Sequence, residues 1–389
     1  MKNRFDKYFN AREDLFNNRL FFIKSVASVC TNLDENSTFW PQSANRFAPL
    51  GMDENAGTNH KYYFAIMLGN SANHLPTVID NLLRVIYHLG EMNVFMSIHE
   101  GGSSDEGHTT AMIETIRITL EAIGIEHAIV TGDVSTDARN KVMEPLRAMH
   151  KSSGRIFNTV VMMSDDLWCA EEFLELLFQS RGQAATVTCS TDVRTSDDDE
   201  YSISPGHDIN GRLFRKVAFH LNNAKGQGRV SGYIQDEYTA TRFRDNHPLR
   251  VQACSSSLLI LDPTPLYPPF SFQFTAPNIH PSDSFPQPWE NRCGFPSALD
   301  MAVRYAAAGF NRAMLVPRSQ TAGTLLDFFK LHRTFTERAE REQLHRQLGL
   351  WVPEDTGGRD NPFARDYEHE ENDIMWMISP RLADRCTSS

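Results

Sequence analysis

From position 62 onward, short apolar runs alternate with longer stretches in which apolar residues return every three or four positions. The run 62–68 reads as a strand. In 76–89 the residues Val78, Ile79, Leu82, Leu83, Ile86 and Leu89 fall on one stripe of a helix that Gly90 can end in a left-handed turn. The alternation continues with a strand at 94–99, a helix at 109–123 closed by Gly124, and a strand at 127–130. A helical stretch at 138–150, a strand entering Asp165, a helix at 170–178 and a strand at 184–189 follow. Strands separated by helices of this length predict an α/β fold, with a mostly parallel sheet covered on both faces.

Beyond 190 the pattern loosens. The stretch 195–210 is acidic and turn-rich, and Asp197-Asp198-Asp199-Glu200 reads as a solvated loop. A strand at 257–261 precedes a Pro- and Phe-rich segment, 263–296, expected to be irregular and a candidate active-site loop. A helix at 299–308, a strand at 313–316 and a long charged helix at 325–348 complete the pattern. Three parts are expected: a polar, aromatic-studded lead-in at 1–58 that wraps the core, a catalytic domain at 59–325, and a C-terminal helix with an acidic tail at 326–389.

Composition narrows the class. A net charge of -11 argues against nucleic acid or an anionic membrane surface, either of which needs a basic footprint. Any phosphate-bearing ligand must therefore be held by a few local cations or a metal. The six cysteines, Cys30, Cys169, Cys189, Cys254, Cys293 and Cys386, are scattered without metal-ligand spacing and read as buried free thiols. No run approaches the length of a membrane span, and no signal-peptide pattern is present, so the chain as given reads as soluble and cytoplasmic.

The richest chemistry lies at 159–166, where Thr159-Val160-Val161-Met162-Met163 stops on Ser164-Asp165-Asp166. Carboxylates at a strand end suit an Mg²⁺ or Mn²⁺ that also holds a diphosphate, because hard cations take oxygen ligands. The same acids could instead cap the helix that starts near Ala170. His99 reads as a hydrogen-bonded structural residue rather than a base, and Trp168 as a packing residue. Gly101-Gly102 lacks dinucleotide-binding context, and no nucleophile elbow surrounds the serines at 255–257.

Four segments stand at expected strand ends or loops: Glu100-Gly101-Gly102-Ser103-Ser104-Asp105, Arg139-Asn140-Lys141-Val142-Met143-Glu144-Pro145-Leu146, Met163-Ser164-Asp165-Asp166 and Cys189-Ser190-Thr191-Asp192. In this order the chain resembles the fungal capsule-associated α-1,3-mannosyltransferases, glycosyltransferase family 69, over roughly 60–265. The family shows E-S-G-S-x-D, R-N-x-x-L-x-P-L, N-D-V and C-S-x-D at these places. The resemblance implies a GT-A-like fold, a GDP-mannose donor, a divalent metal and retaining transfer. It implies that Asp165 holds metal and diphosphate, that Arg139 pairs with donor phosphate, that Glu100 and Asp105 lie near the nucleotide, and that Asp192 stands close to the donor sugar. Asp166 would add a second metal carboxylate. The family is usually membrane-anchored, so a Golgi-luminal location is implied if an N-terminal anchor has been removed.

The departures concentrate in the sugar and acceptor half. The family's C-W-N-G is Cys254-Ser255-Ser256-Ser257 here, which puts Ser255 and Ser256 at substrate-binding positions, and its E-x-x-C is Cys293-Gly294-Phe295-Pro296. The acceptor is accordingly read as a glycan or a small molecule. A second reading is a repurposed glycosyltransferase fold that no longer transfers sugar and acts on a small apolar molecule, as a natural-product tailoring enzyme or cyclase. The aromatics Tyr267, Phe270, Phe272, Phe274, Phe285 and Trp289 would then line its pocket. A non-catalytic partner in a glycosylation complex is a third reading.

Overall fold

The computed structural model describes residues 46–51, 60–72, 74–105, 107–132, 138–195, 201–203, 206–211, 214, 236–244, 247–274, 302, 304–323 and 328. Most of the expected lead-in, the acidic run 197–200, Phe285, Trp289, the long charged helix and the acidic tail lie outside them.

The strands are β1 (Tyr62–Leu68), β2 (Val94–Glu100), β3 (Glu126–Thr131), β4 (Thr159–Met163), β5 (Val187–Thr195), β6 (Tyr201–Ile203), β7 (Gly206–His207), β8 (Leu249–Val251), β9 (Ala253–Cys254), β10 (Leu258–Leu261) and β11 (Ala313–Ala322). The helices are α1 (Leu75–Leu89), α2 (His108–Ile123), α3 (Ala138–Val142), α4 (Glu144–Ser153), α5 (Ala170–Gly182) and α6 (Glu237–Arg244). One sheet runs in the order β3-β2-β1-β4-β10-β5-β11-β8, with β6 added to β5; β7 and β9 pair separately. β1 to β4 are mutually parallel, as are β5 and β11, while β10 is inserted antiparallel between β4 and β5. The C-terminal ends of the parallel strands therefore share one edge with the start of β10. Ligands of open α/β sheets bind at this kind of edge.

Alternation sorts β1 between two cores. Tyr62, Phe64, Ile66 and Leu68 pack with α1, α2 and α5, whereas Tyr63 and Ala65 face the cluster containing Val142, Met143 and Leu146 of the α3–α4 stretch. The whole stripe of α1 from Val78 to Leu89 is buried, as its spacing predicts.

The structure adjusts several expected elements. The stretch 138–150 breaks at Met143, because Pro145 in the first turn of α4 lacks the N–H that a continuous helix would need there. β5 starts at Val187 rather than 184, since Ala184 has φ +45° and leaves α5 through a left-handed turn. β11 runs past Pro317 to Ala322, and a register shift between Val316 and Gln320 absorbs the proline.

The cysteine expectation is overturned. Cys189 of β5 and Cys254 of β9 form a disulfide with Cα atoms 6.2 Å apart, and Cys169 is disulfide-bonded as well. Widely spaced cysteines become neighbours because β10, which follows Cys254, pairs with β5. Cys30, Cys293 and Cys386 lie outside the described residues.

Candidate functional site

β4 delivers its terminal acids to the shared sheet edge, and the next four residues form a short arch. At its first foot the Ser164 N–H donates to the Ser257 carbonyl at 3.0 Å. At the other foot Leu167 and Ala322 exchange two backbone hydrogen bonds of 2.8 and 2.9 Å. Asp165 and Asp166 are the span between. The Asp165 carboxylate is partly exposed and meets no hydrogen-bond or ion-pair partner among the described residues. Asp166 is partly buried and is engaged by an interaction of its own. The N-cap of α5 is Cys169 rather than either acid, and its backbone N–H donates to Glu172 in a capping box. Trp168 is buried and packs on Phe173, as expected of a packing residue.

Asp192 lies beside this arch on β5, in register with Thr321 of β11. It is buried, and its Oδ1 accepts the Thr321 hydroxyl at 2.6 Å, the Ser257 hydroxyl at 3.0 Å and the Ser257 N–H at 3.0 Å. That N–H is shared with Oδ2, also at 3.0 Å. Ser257, rather than Ser255 or Ser256, is thus the serine that meets a site acid. The Ser256 hydroxyl turns back to the Leu258 carbonyl at 2.5 Å, and Ser255 is partly buried. Sequence reasoning passed over Ser257 and Thr321 because nothing along the chain marks them as neighbours of Asp192.

On the other side of β1 the loops after β1 and β2 are knit together. Asn70, with φ +56°, donates its N–H to Ser103 Oγ at 2.9 Å and accepts the Ser104 N–H on Oδ1 at 2.7 Å. Glu100 is buried and accepts the Ser103 N–H at 2.5 Å. Asp105 accepts the Thr109 hydroxyl and N–H at the start of α2, and the hydroxyl contact first of all lowers its pKa. It holds the first turn of α2 from two residues before the N-cap, Gly107.

Arg139 sits in α3, which packs against β1 and β2. Its Nε is sealed from solvent without a hydrogen bond, and neither Glu144 nor any other described carboxylate pairs with it. Burial lowers its pKa, the cost of a desolvated guanidinium. His99 is almost fully buried and neither ring nitrogen makes a well-formed hydrogen bond, although the Val130 backbone interacts with the ring. Burial first, then the charge of Lys141, lowers the His99 pKa. The expected structural histidine is therefore buried but poorly satisfied.

The described part of the aromatic segment is divided: Phe270 is exposed and Phe272 partly buried, while others pack. Tyr267 and Phe274 are buried in the core on the α3–α4 side, and the Tyr267 hydroxyl oxygen accepts the Phe157 N–H at 3.1 Å.

No group of three or more His, Cys, Asp or Glu poised for a metal occurs among the described residues. The open Asp165 carboxylate nevertheless fits a hard cation of the kind that uses one or two protein carboxylates and completes its shell with water and substrate phosphate.

Comparison with known proteins agrees with the family resemblance of the sequence. A family model described as Cryptococcal mannosyltransferase 1 matches residues 61–287. The α-1,3-mannosyltransferase CMT1 of Cryptococcus neoformans var. neoformans serotype D is 23% identical over 269 residues, 64% of this chain and 54% of that protein. The chain thus spans about half the length of this curated relative. Among solved structures, the mannosyltransferase PcManGT from Pyrobaculum calidifontis, in complex with GDP-Man and Mn²⁺, aligns over 89% of this chain and 81% of its own at 10% identity and a TM-score of 0.38. TarS 1–349 of S. aureus aligns over 74% of this chain and 70% of its own, at 10% identity and a TM-score of 0.35.

Proposed function

Because this chain belongs to the Cryptococcal mannosyltransferase 1 family, we propose that it is a glycosyltransferase that moves mannose, or another hexose, from a nucleoside-diphosphate sugar such as GDP-mannose to an acceptor hydroxyl with retention of configuration. The observation that carries the reading is Arg139, a largely desolvated guanidinium with no anionic partner among the described residues, together with an Asp165 carboxylate that stands open at the sheet edge. In an acidic protein an unpaired buried cation needs an anion, and a guanidinium binds phosphate oxygens bidentately.

In this reading Asp165 holds Mn²⁺ or Mg²⁺, which when bound would neutralise charge on the departing diphosphate. Arg139 fixes the phosphate oxygens and stabilises the same charge from a rigid, water-poor position. The knitted loops carrying Glu100 and Asp105 form the nucleoside side. The C1–O bond to the diphosphate breaks as the acceptor oxygen bonds to C1 from the face the leaving group vacates, and the acceptor proton passes to the departing diphosphate oxygen. The disulfides favour an oxidising lumen over the cytoplasm. The packed positions of Tyr267 and Phe274 weigh against an apolar-substrate pocket built on that part of the loop.

The test is calorimetric binding of GDP with and without Mn²⁺, followed by turnover of GDP-mannose with a mannoside acceptor. Metal-dependent binding and turnover are expected. Absence of nucleotide binding in both conditions would remove the reading.

A further inference from the structure

Two clamps fix the arch that carries Asp165, and both lead to one buried side chain. The first clamp is Ser257, whose carbonyl accepts the Ser164 N–H at 3.0 Å. The second is the end of β11, where Ala322 exchanges two hydrogen bonds with Leu167. Asp192 reaches across and accepts from Ser257 through both N–H and hydroxyl, and from Thr321, the neighbour of Ala322, at 2.6 Å. The two hydroxyls also meet one another at 2.9 Å. Ser164 and Leu167 lie on either side of the two acids, so a single carboxylate ties together the two feet of the arch.

We propose that Asp192 is a positioning residue that fixes the Asp165–Asp166 arch through Ser257 and Thr321. Four donors converge on Oδ1, the Ser257 N–H and hydroxyl, the Thr321 hydroxyl and, at a longer 3.4 Å, the Ser190 hydroxyl, which uses up its acceptor capacity and holds the side chain in one orientation. Asp192 of β5, Thr321 of β11 and Ser257, the residue before β10, are thereby locked just beyond the register shift of β11. The Cys189–Cys254 disulfide reinforces the lock, because each cysteine lies three residues before one of the bonded partners, Asp192 and Ser257. A carboxylate that must share a cation with a diphosphate needs its backbone held to within a fraction of an ångström, which an arch of this length supplies only when both feet are fixed.

The inference rests on the proposed metal-and-diphosphate role of Asp165 for its function, while its geometry can be read without any ligand. The variants are Asp192→Asn, which turns an amide donor against the Ser257 N–H, and Thr321→Val, which removes one hydroxyl at constant shape. Thr321→Ser, which retains the hydroxyl, is the rescue. Hydrogen exchange of the Ser164 and Leu167 amides is measured on the unliganded protein. Asp192→Asn and Thr321→Val should accelerate both by about tenfold or more, the effect of losing a hydrogen bond to a charged group, with β1 and β2 unchanged and Thr321→Ser close to wild type. Calorimetry with GDP and Mn²⁺ should show a loss of similar size in metal-dependent affinity only. Wild-type exchange at both amides, or loss of protection throughout the sheet, would overturn the proposal. So would a variant with intact metal-dependent GDP affinity and reduced turnover, which would make Asp192 a group that touches the sugar. A wild-type protein without metal-dependent GDP binding would defeat the proposed function instead, and the exchange result would still decide whether Asp192 fixes the arch.

Discussion

Asn140 and Phe274 exchange a pair of hydrogen bonds across 134 positions of chain: the Asn140 amide donates to the Phe274 carbonyl at 2.6 Å, and the Phe274 N–H returns to Asn140 Oδ1 at 2.9 Å. The pair is buried and joins α3 to the strap of chain after β10. It fixes the residue next to Arg139, so the strap's contribution to the site is to hold a helix in place.

Truncating Asn140 to Ala leaves both Phe274 backbone groups buried and unpaired. We expect a loss of about 2 kcal/mol of folding stability, in the range for orphaned buried polar groups, read as a lowered urea midpoint at unchanged m-value. A midpoint equal to wild type would show that the strap moves freely of α3.

Asp165→Asn should leave stability near wild type, since the carboxylate has no partner to lose among the described residues. Metal-dependent GDP affinity should fall by at least about 2 kcal/mol, the scale for breaking a close charge pair. Unchanged affinity in the presence of Mn²⁺ would remove the metal role from Asp165.

Arg139→Met separates function from stability in the opposite direction. A desolvated guanidinium with no anionic partner among the described residues is costly, so the substitution should raise stability by about 1–3 kcal/mol, as replacing buried charge by apolar groups often does, while nucleotide binding is lost. A destabilised variant that still binds GDP would give Arg139 a purely structural role.

The Cys189–Cys254 disulfide closes a loop with a sequence separation of 65, and both sulfurs are buried. On loop-entropy grounds its removal should cost about 4 kcal/mol, seen as a lower unfolding temperature for the Cys189→Ser, Cys254→Ser double variant. A variant that melts like the wild type would mean that sheet pairing alone sets this part of the fold.

Acid should destabilise the protein before its carboxylates titrate. Burial, with a smaller contribution from Arg181, lowers the His60 pKa to about 4, and burial also lowers those of His88 and His207. A histidine whose folded pKa is lowered leaves the unfolded chain binding more protons between its ordinary value near 6.5 and the folded one. Stability is therefore full above 6.5 and declines as pH falls toward about 4. Urea unfolding at pH 7.5 and pH 5 checks this, and His60→Gln should flatten the slope. Equal stability at the two pH values would contradict it.

The chain by itself determined the alternation of β1 to β4 with their helices, because apolar spacing reports which face each element buries, and Gly90 and Gly124 mark two helix ends locally. It also marked Asp165, since an apolar run that stops on carboxylates is a local signal, and family likeness singled out the Arg139 segment. Other features depended on contacts between distant segments. The insertion of β10 against the direction of its neighbours, the continuation of β11 past Pro317 and the Cys189–Cys254 bond all follow from which strands become adjacent, and pairing partners leave no periodic trace. Asp192 illustrates the difference. Its identity and motif were visible along the chain, but its bonds to Ser257 and Thr321 exist only because β5, the start of β10 and the end of β11 converge, and that convergence is a property of the sheet rather than of any one segment.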